Sequence, residues 1–123
     1  MTAPNIKSPI AIYGKTGRYA VPVLSGTLPV ALLSNPPSSN TVYKINSIFC
    51  ANVNGIIPAD ITVSIYDGSI DRYLALTISV PANATQIISS KDTYFYLEEG
   101  HSIRAAASVA GDLELIIGYE EIS

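Results

Sequence analysis

The chain has 123 residues, a length typical of one domain, which buries about two-thirds of the surface it exposes unfolded and needs no disulfide staples. Hydrophobic residues make up 48% and charged residues only 14%, so part of the apolar excess is expected to meet neighbouring chains. No run of eighteen apolar residues and no charged start ahead of an apolar core occurs, which predicts neither a membrane span nor a secretory signal.

The net charge of -3 conceals an asymmetry. Residues 1 to 59 carry Lys7, Lys15, Arg18 and Lys44 and no acid, while residues 60 to 123 carry all ten acids against Arg72, Lys91 and Arg104. A basic leading part beside an acidic body favours contact between copies or folding back onto its own body. The single cysteine, Cys50, falls inside a strand pattern as a small apolar side chain and suits a reducing cytoplasm.

Six of the eight prolines, Pro4, Pro9, Pro22, Pro29, Pro36 and Pro37, fall in residues 1 to 40. Proline fixes its backbone angle, lacks a donor and biases its predecessor to extended conformations, so this region is predicted to be an extended arm. Ile10 to Tyr13, Arg18 to Leu24 and Leu28 to Leu33 suit short edge strands. Ser34 to Asn40, SNPPSSN, marks the hinge into the body.

From Thr41 the pattern becomes period two. Tyr43, Ile45, Phe49, Ala51 and Val53 alternate with polar neighbours, broken only at Ser47, and predict a half-buried strand. Asn54-Gly55 and Pro58 turn the chain into a second strand with Ile61, Val63 and Ile65 inward. After Asp67-Gly68-Ser69, Leu74, Leu76, Ile78 and Val80 are expected on one face. Shorter strands are predicted over Thr85 to Ser89 and Thr93 to Leu97. Ile103, Ala105 and Ala107 mark another strand, with Gly111-Asp112 closing a hairpin into Leu113, Leu115, Ile117 and Tyr119. Strands every ten residues with turns between, and no sustained helical period, predict a single antiparallel β-sandwich of seven to eight strands, jelly-roll or immunoglobulin-like, over residues 41 to 123.

Chemical motifs are weak. Gly14-Lys15-Thr16-Gly17 ends like a phosphate loop, yet Pro9 stands where that motif needs its first glycine and no helix follows. His101 is the only histidine, which rules out a two-histidine metal site, and no Gly-x-Ser-x-Gly elbow occurs. Asp60, Asp67 and Asp71 lack the spacing of a calcium loop. Glu98-Glu99 and Glu120-Glu121 are sequence neighbours that point to opposite faces of a strand. No catalytic, cofactor-binding or metal residue is therefore assigned. Eight tyrosines offer stacking surfaces, with Tyr94 and Tyr96 sharing a strand face as the best exposed aromatic contact, but an acidic body does not suit direct nucleic-acid recognition.

VYKINSIFCANVNG, ADITVSIYDGS, YLALTISVPANATQIISSKD and YLEEGHSIRAAASVAGDLELIIGYEEIS cover nearly all of the body. Together they resemble a small all-β family of virion structural proteins encoded by tailed bacteriophages, including those infecting cyanobacteria and other aquatic bacteria. The matching features are Val42 to Ile48, Ala51 to Gly55, Ile61 to Asp67, Leu97 to Arg104 and Asp112 to Glu121; His101 departs from the acid usual in the pattern. The resemblance implies a non-enzymatic virion protein, assembled in the host bacterial cytoplasm without cofactor or membrane. Its expected partners are major capsid, neck or tail proteins and further copies of itself.

The leading expectation is a capsid decoration or cement protein whose arm clasps neighbouring subunits through Ile10, Ile12, Tyr13, Arg18, Tyr19, Val21 and Val23. The alternatives are a neck, tail or fibre-attachment protein, or a host-surface module holding a glycan at Asp67 to Asp71 and Tyr94 to Tyr96.

Overall fold

Nine strands organise the computed structural model, which describes residues 4, 6–23 and 29–123. They are β1 (Ile12–Ala20), β2 (Val30–Ser34), β3 (Val42–Asn52), β4 (Ala59–Tyr66), β5 (Asp71–Val80), β6 (Thr85–Ser89), β7 (Phe95–Leu97), β8 (Ser102–Ala107) and β9 (Leu113–Ile122). A 3₁₀ turn, Lys91–Thr93, separates β6 from β7. The first sheet runs β1-β9-β3-β6, with β7 also on β3; the second runs β2-β8-β4-β5, and every strand pair is antiparallel. Among the described residues no helix is long and apolar enough to cross a membrane.

Strand partners lie almost symmetrically about one point. Tyr66 faces Asp71, Ala59 faces Val80, Ala51 faces Thr85, Tyr43 faces Leu97, Val30 faces Ala105 and Ile12 faces Ile122. The chain is one long hairpin folded at the Asp67–Ile70 turn and rolled so that its successive paired segments fall alternately into the two sheets. This is the jelly-roll arrangement. In an immunoglobulin sandwich the first two strands are neighbours in one sheet, whereas here β1 and β2 belong to different sheets. The pivot is built locally: Asp67 Oδ1 accepts the backbone N–H groups of Ser69 and Ile70 at 2.9 and 2.8 Å, and Gly68 takes φ 95°.

Between the sheets lie Ile45, Ile48, Cys50, Ile61, Val63, Leu97, Ile103, Ala105, Leu113, Leu115 and Ile117, each no more than 1% exposed. Full burial of each larger aliphatic side chain contributes about 1.5–3 kcal/mol. The expected alternation in β4, β8 and β9 agrees with this core. In β3 it holds only at first: Tyr43 and Ile45 point in, a bulge between Ile45 and Ser47 reverses the parity, and Ile48, Cys50 and Asn52 then point in. Phe49 and Ala51 turn outward, because one inserted residue exchanges the faces of everything after it. Two register shifts interrupt β5 as well, where Ala75 and Val80 are buried while Leu74 and Leu76 are 38% and 56% exposed; Ile78 keeps the face of Val80, opposite Ile61, and is 40% exposed at the sheet edge.

The division into an arm (residues 1 to 40) and a body also needs correction. Residues 12–20 pair with β9 along their whole length, and residues 30–34 pair with β8, so both belong to the sandwich as edge strands. Pro22, Pro29, Pro36 and Pro37 sit in the connections rather than in the strands, where a missing donor removes no ladder bond. The basic leading part folds back on the acidic end, with Lys15 Nζ 3.0 Å from Glu121 Oε2. Leu24 and Leu28 of the expected edge strands, together with residues 1–3, lie outside the described residues. The Gly111-Asp112 turn joins strands of different sheets and closes no hairpin.

Candidate functional site

The outer face of the first sheet gathers polar and aromatic side chains from four strands. The register sets Gly14, Glu120, Lys44 and Tyr96 in one cross-strand row, with Thr16, Gly118 and Ser47 in the next. Arg18, Ile116, Phe49 and Ile87 form the row beyond. Gly14, Thr16, Gly118 and Ser47 make a low floor. A side chain at Gly14 would begin with nothing within 4 Å, whereas one at Gly118 would meet Ser47 Oγ at 2.9 Å.

At the β7 end this floor meets Tyr94 and Tyr96, whose rings are T-shaped with centroids 6.0 Å apart and which are 49% and 38% exposed. Lys44 Nζ stands 4.6 Å from the centre of the Tyr94 ring, a cation–π contact that positions the ammonium at the wall. The bulge residue Asn46 donates from Nδ2 to Glu120 Oε1 at 2.9 Å. Tyr96 also lines a cavity of about 480 Å³ bounded by Pro4, Ile6, Val42, Phe95 and Glu98. Rings for stacking, an ammonium, an amide, carboxylates and hydroxyls thus converge on one shallow surface.

The rings of Tyr94, just outside β7, and Tyr96, within it, lie together, whereas the arm residues are dispersed. Ile10, Ile12 and Tyr13 are 95%, 52% and 61% exposed, and Arg18 is exposed on the outer face. Val23 is 41% exposed and bridges to Ala107. Val21 is a core residue at 2% exposure, its N–H bonded to Leu113 O, and Tyr19 packs against the core, so neither is free to clasp a neighbour.

Sequence spacing could not reveal Gly14, Lys44, Asn46 and Glu120, because only the register of β1, β9, β3 and β7 makes them neighbours. Nor did it reveal a second cluster, in which Tyr43 and Tyr119 stack at 5.4 Å beside the Lys15–Glu121 pair. Burial first, and the Glu121 carboxylate second, push the Tyr43 phenol up to about 12. The hydrogen bond that Lys15 donates to Glu121 raises its ammonium above its ordinary value.

On the second sheet Asp71 is the partner of Arg104: Nη1 lies 3.4 Å from Asp71 Oδ2, the guanidinium covers Tyr66 at 3.5 Å, and Ser64 Oγ donates to Asp71 Oδ1 at 2.9 Å. Asp67 spends its carboxylate on the Ile70 and Ser69 N–H groups, which hold it below the usual carboxylate range. Among the described residues no three His, Cys, Asp or Glu side chains gather where they could share an ion. The second sheet ends in β5, an edge strand exposing Tyr73, Leu74, Leu76 and Ile78, with Ile70 beside it.

No protein-family model and no curated protein matches the chain. Among solved structures it is similar to the crystal structure of the infectious bursal disease virus VP2 subviral particle, with 15% identity and a TM-score of 0.46. The match covers 94% of this chain and 33% of that one, so the chain spans about a third of that protein's length. At this similarity neither the activity nor the assembly of that protein transfers to this chain.

Proposed function

We propose that this chain is a non-enzymatic structural protein of a tailed-phage virion, a decoration or cement protein that works by contact with other virion chains. The observation that carries the reading is β5. From Tyr73 to Val80 this edge strand contains no charge and no proline, and four of its large apolar side chains are at least 38% exposed. A soluble monomer usually blunts a long edge with lysine, proline, brevity or a bulge, and of these β5 has only its two bulges. β1 carries Lys15 and Arg18, and β2, β6 and β7 have only five, five and three residues, so β5 is the edge whose surface fits a protein partner. The resemblance of the body motifs to phage virion proteins supports the same reading.

The contact differs from the arm clasp that the proline pattern suggests, since β1 and β2 are used within their own chain. A neck or tail position would use the same edge. The test is mass spectrometry of purified particles of the encoding phage, complemented with wild-type or Leu76→Lys chain. The wild-type chain should be recovered at stoichiometric copy number, and the variant, still folded by circular dichroism, should be depleted at least tenfold. Absence of the wild-type chain from particles sinks the proposal, and equal recovery of the variant sinks the role of β5.

A further inference from the structure

We infer that the outer face of the first sheet is a carbohydrate-binding surface for a short oligosaccharide laid across the strands. The inference is independent of β5, which lies in the other sheet.

A pyranose presents an apolar face of C–H bonds and an edge of hydroxyls that each donate and accept. Its binding surface therefore needs an aromatic wall, mixed donors and acceptors, and a floor low enough for a ring to lie down. Each requirement is met by a named group. Tyr96 and Tyr94 are half-exposed rings fixed against each other at the end of the floor, so stacking would cost little side-chain freedom.

Lys44 supplies ammonium donors held at the wall by the Tyr94 ring, while the carboxylate of its row neighbour Glu120 takes the Asn46 amide. Donor, acceptor and amide stand side by side, matched to a neutral hydroxyl-rich ligand rather than to a strongly charged one. Three strand spacings from β1 to β7 give the floor a span of about 14 Å, enough for a short run of sugar rings. The cavity beyond Tyr96, lined by Ile6, Val42 and Phe95, would accept an apolar substituent such as an acetamido methyl group at the end of such a chain.

Gly14 is the distinguishing residue. Packing does not demand a glycine there, since a Cβ would meet nothing within 4 Å and the residue lies in regular strand. A larger side chain is tolerated by the fold but stands on the floor of the groove.

The test applies the full-length chain to an array of bacterial capsular and O-antigen polysaccharides and titrates the strongest hit by calorimetry. Saturable binding is expected, weakened at least tenfold by Tyr96→Ala and, separately, by Gly14→Leu, with both variants folded by circular dichroism. Leu76→Lys should bind as wild type. No bound member of the array, or wild-type affinity in both groove variants, overturns the inference; loss of particle incorporation by Leu76→Lys reports on β5 alone.

Discussion

The hydroxyl of Thr62 accepts the backbone N–H of Thr77 at 3.0 Å and so holds a β-branched residue at φ 46°, in the middle of an edge strand. Left-handed backbone is costly for a β-branched side chain, of order 1–3 kcal/mol, and persists only where its surroundings fix it. Here the β4–β5 register shift between Ile61 and Val63 fixes it, and the same bulge puts Leu76 on the face opposite Val80, where it is 56% exposed. Thr77→Asn, which visits this conformation readily, should raise stability by about 0.5–1 kcal/mol in urea unfolding. Thr62→Val should lower it by about 1 kcal/mol. A destabilised Thr77→Asn would show that the strain is offset by contacts of the threonine itself.

Two buried asparagines tie loops to the core. Asn35 donates to the carbonyls of Thr41 and Leu97 at 2.8 and 3.0 Å, and Asn52 donates to those of Ile57 and Val80 at 3.1 and 2.9 Å. Replacing either by leucine strands two carbonyls and should cost about 2–4 kcal/mol, read as a lower urea midpoint. A cost below about 1 kcal/mol would mean that water replaces the amide.

Tyr19 lies back across Gly17, and a Cβ at position 17 would run into its ring. Gly17→Ala should therefore displace Tyr19 from the core margin and destabilise the chain by about 1–3 kcal/mol. In a double-mutant cycle, Tyr19→Ala should cost less in the Gly17→Ala background than in wild type. Simple additivity would contradict the contact.

Stability should fall at alkaline pH. Tyr43 is raised from 10.0 to about 12, chiefly by burial, and burial raises the Cys50 thiol from 9.0 to about 11. Both groups hold their protons more tightly folded than unfolded, so their contribution is complete below the unfolded values and is lost as pH rises through the folded ones. The unfolding midpoint should decline between about pH 9 and 12. Cys50→Ala should flatten the lower part of the decline and Tyr43→Phe the upper part; an unchanged profile in both would remove these groups as the cause.

For the same reason the Cys50 thiol, 0% exposed, should resist thiol reagents in the native chain and react only at the rate of unfolding. Rapid labelling of native protein with a disulfide reagent would place Cys50 outside the core.

The sequence by itself determined the strands and most of the core. Val63, Ile103, Leu115 and their neighbours alternate with polar residues, and that period of two is a local property of a half-buried strand. What the sequence misplaced shares one cause: a single inserted residue at Asn46, or the shifts in β5, reverses inside and outside, and hydrophobic counting does not register an insertion. Pairing across long separations is likewise silent in local pattern, so β1 read as an arm although Ile12 meets Ile122. Only the tertiary structure decided that the two halves of the chain roll up about Asp67–Ile70. That roll leaves β5 as an apolar edge and draws Gly14, Lys44, Tyr96 and Glu120 from four strands into one cross-strand row, because ladder hydrogen bonds, which every residue type but proline can make in full, set the register.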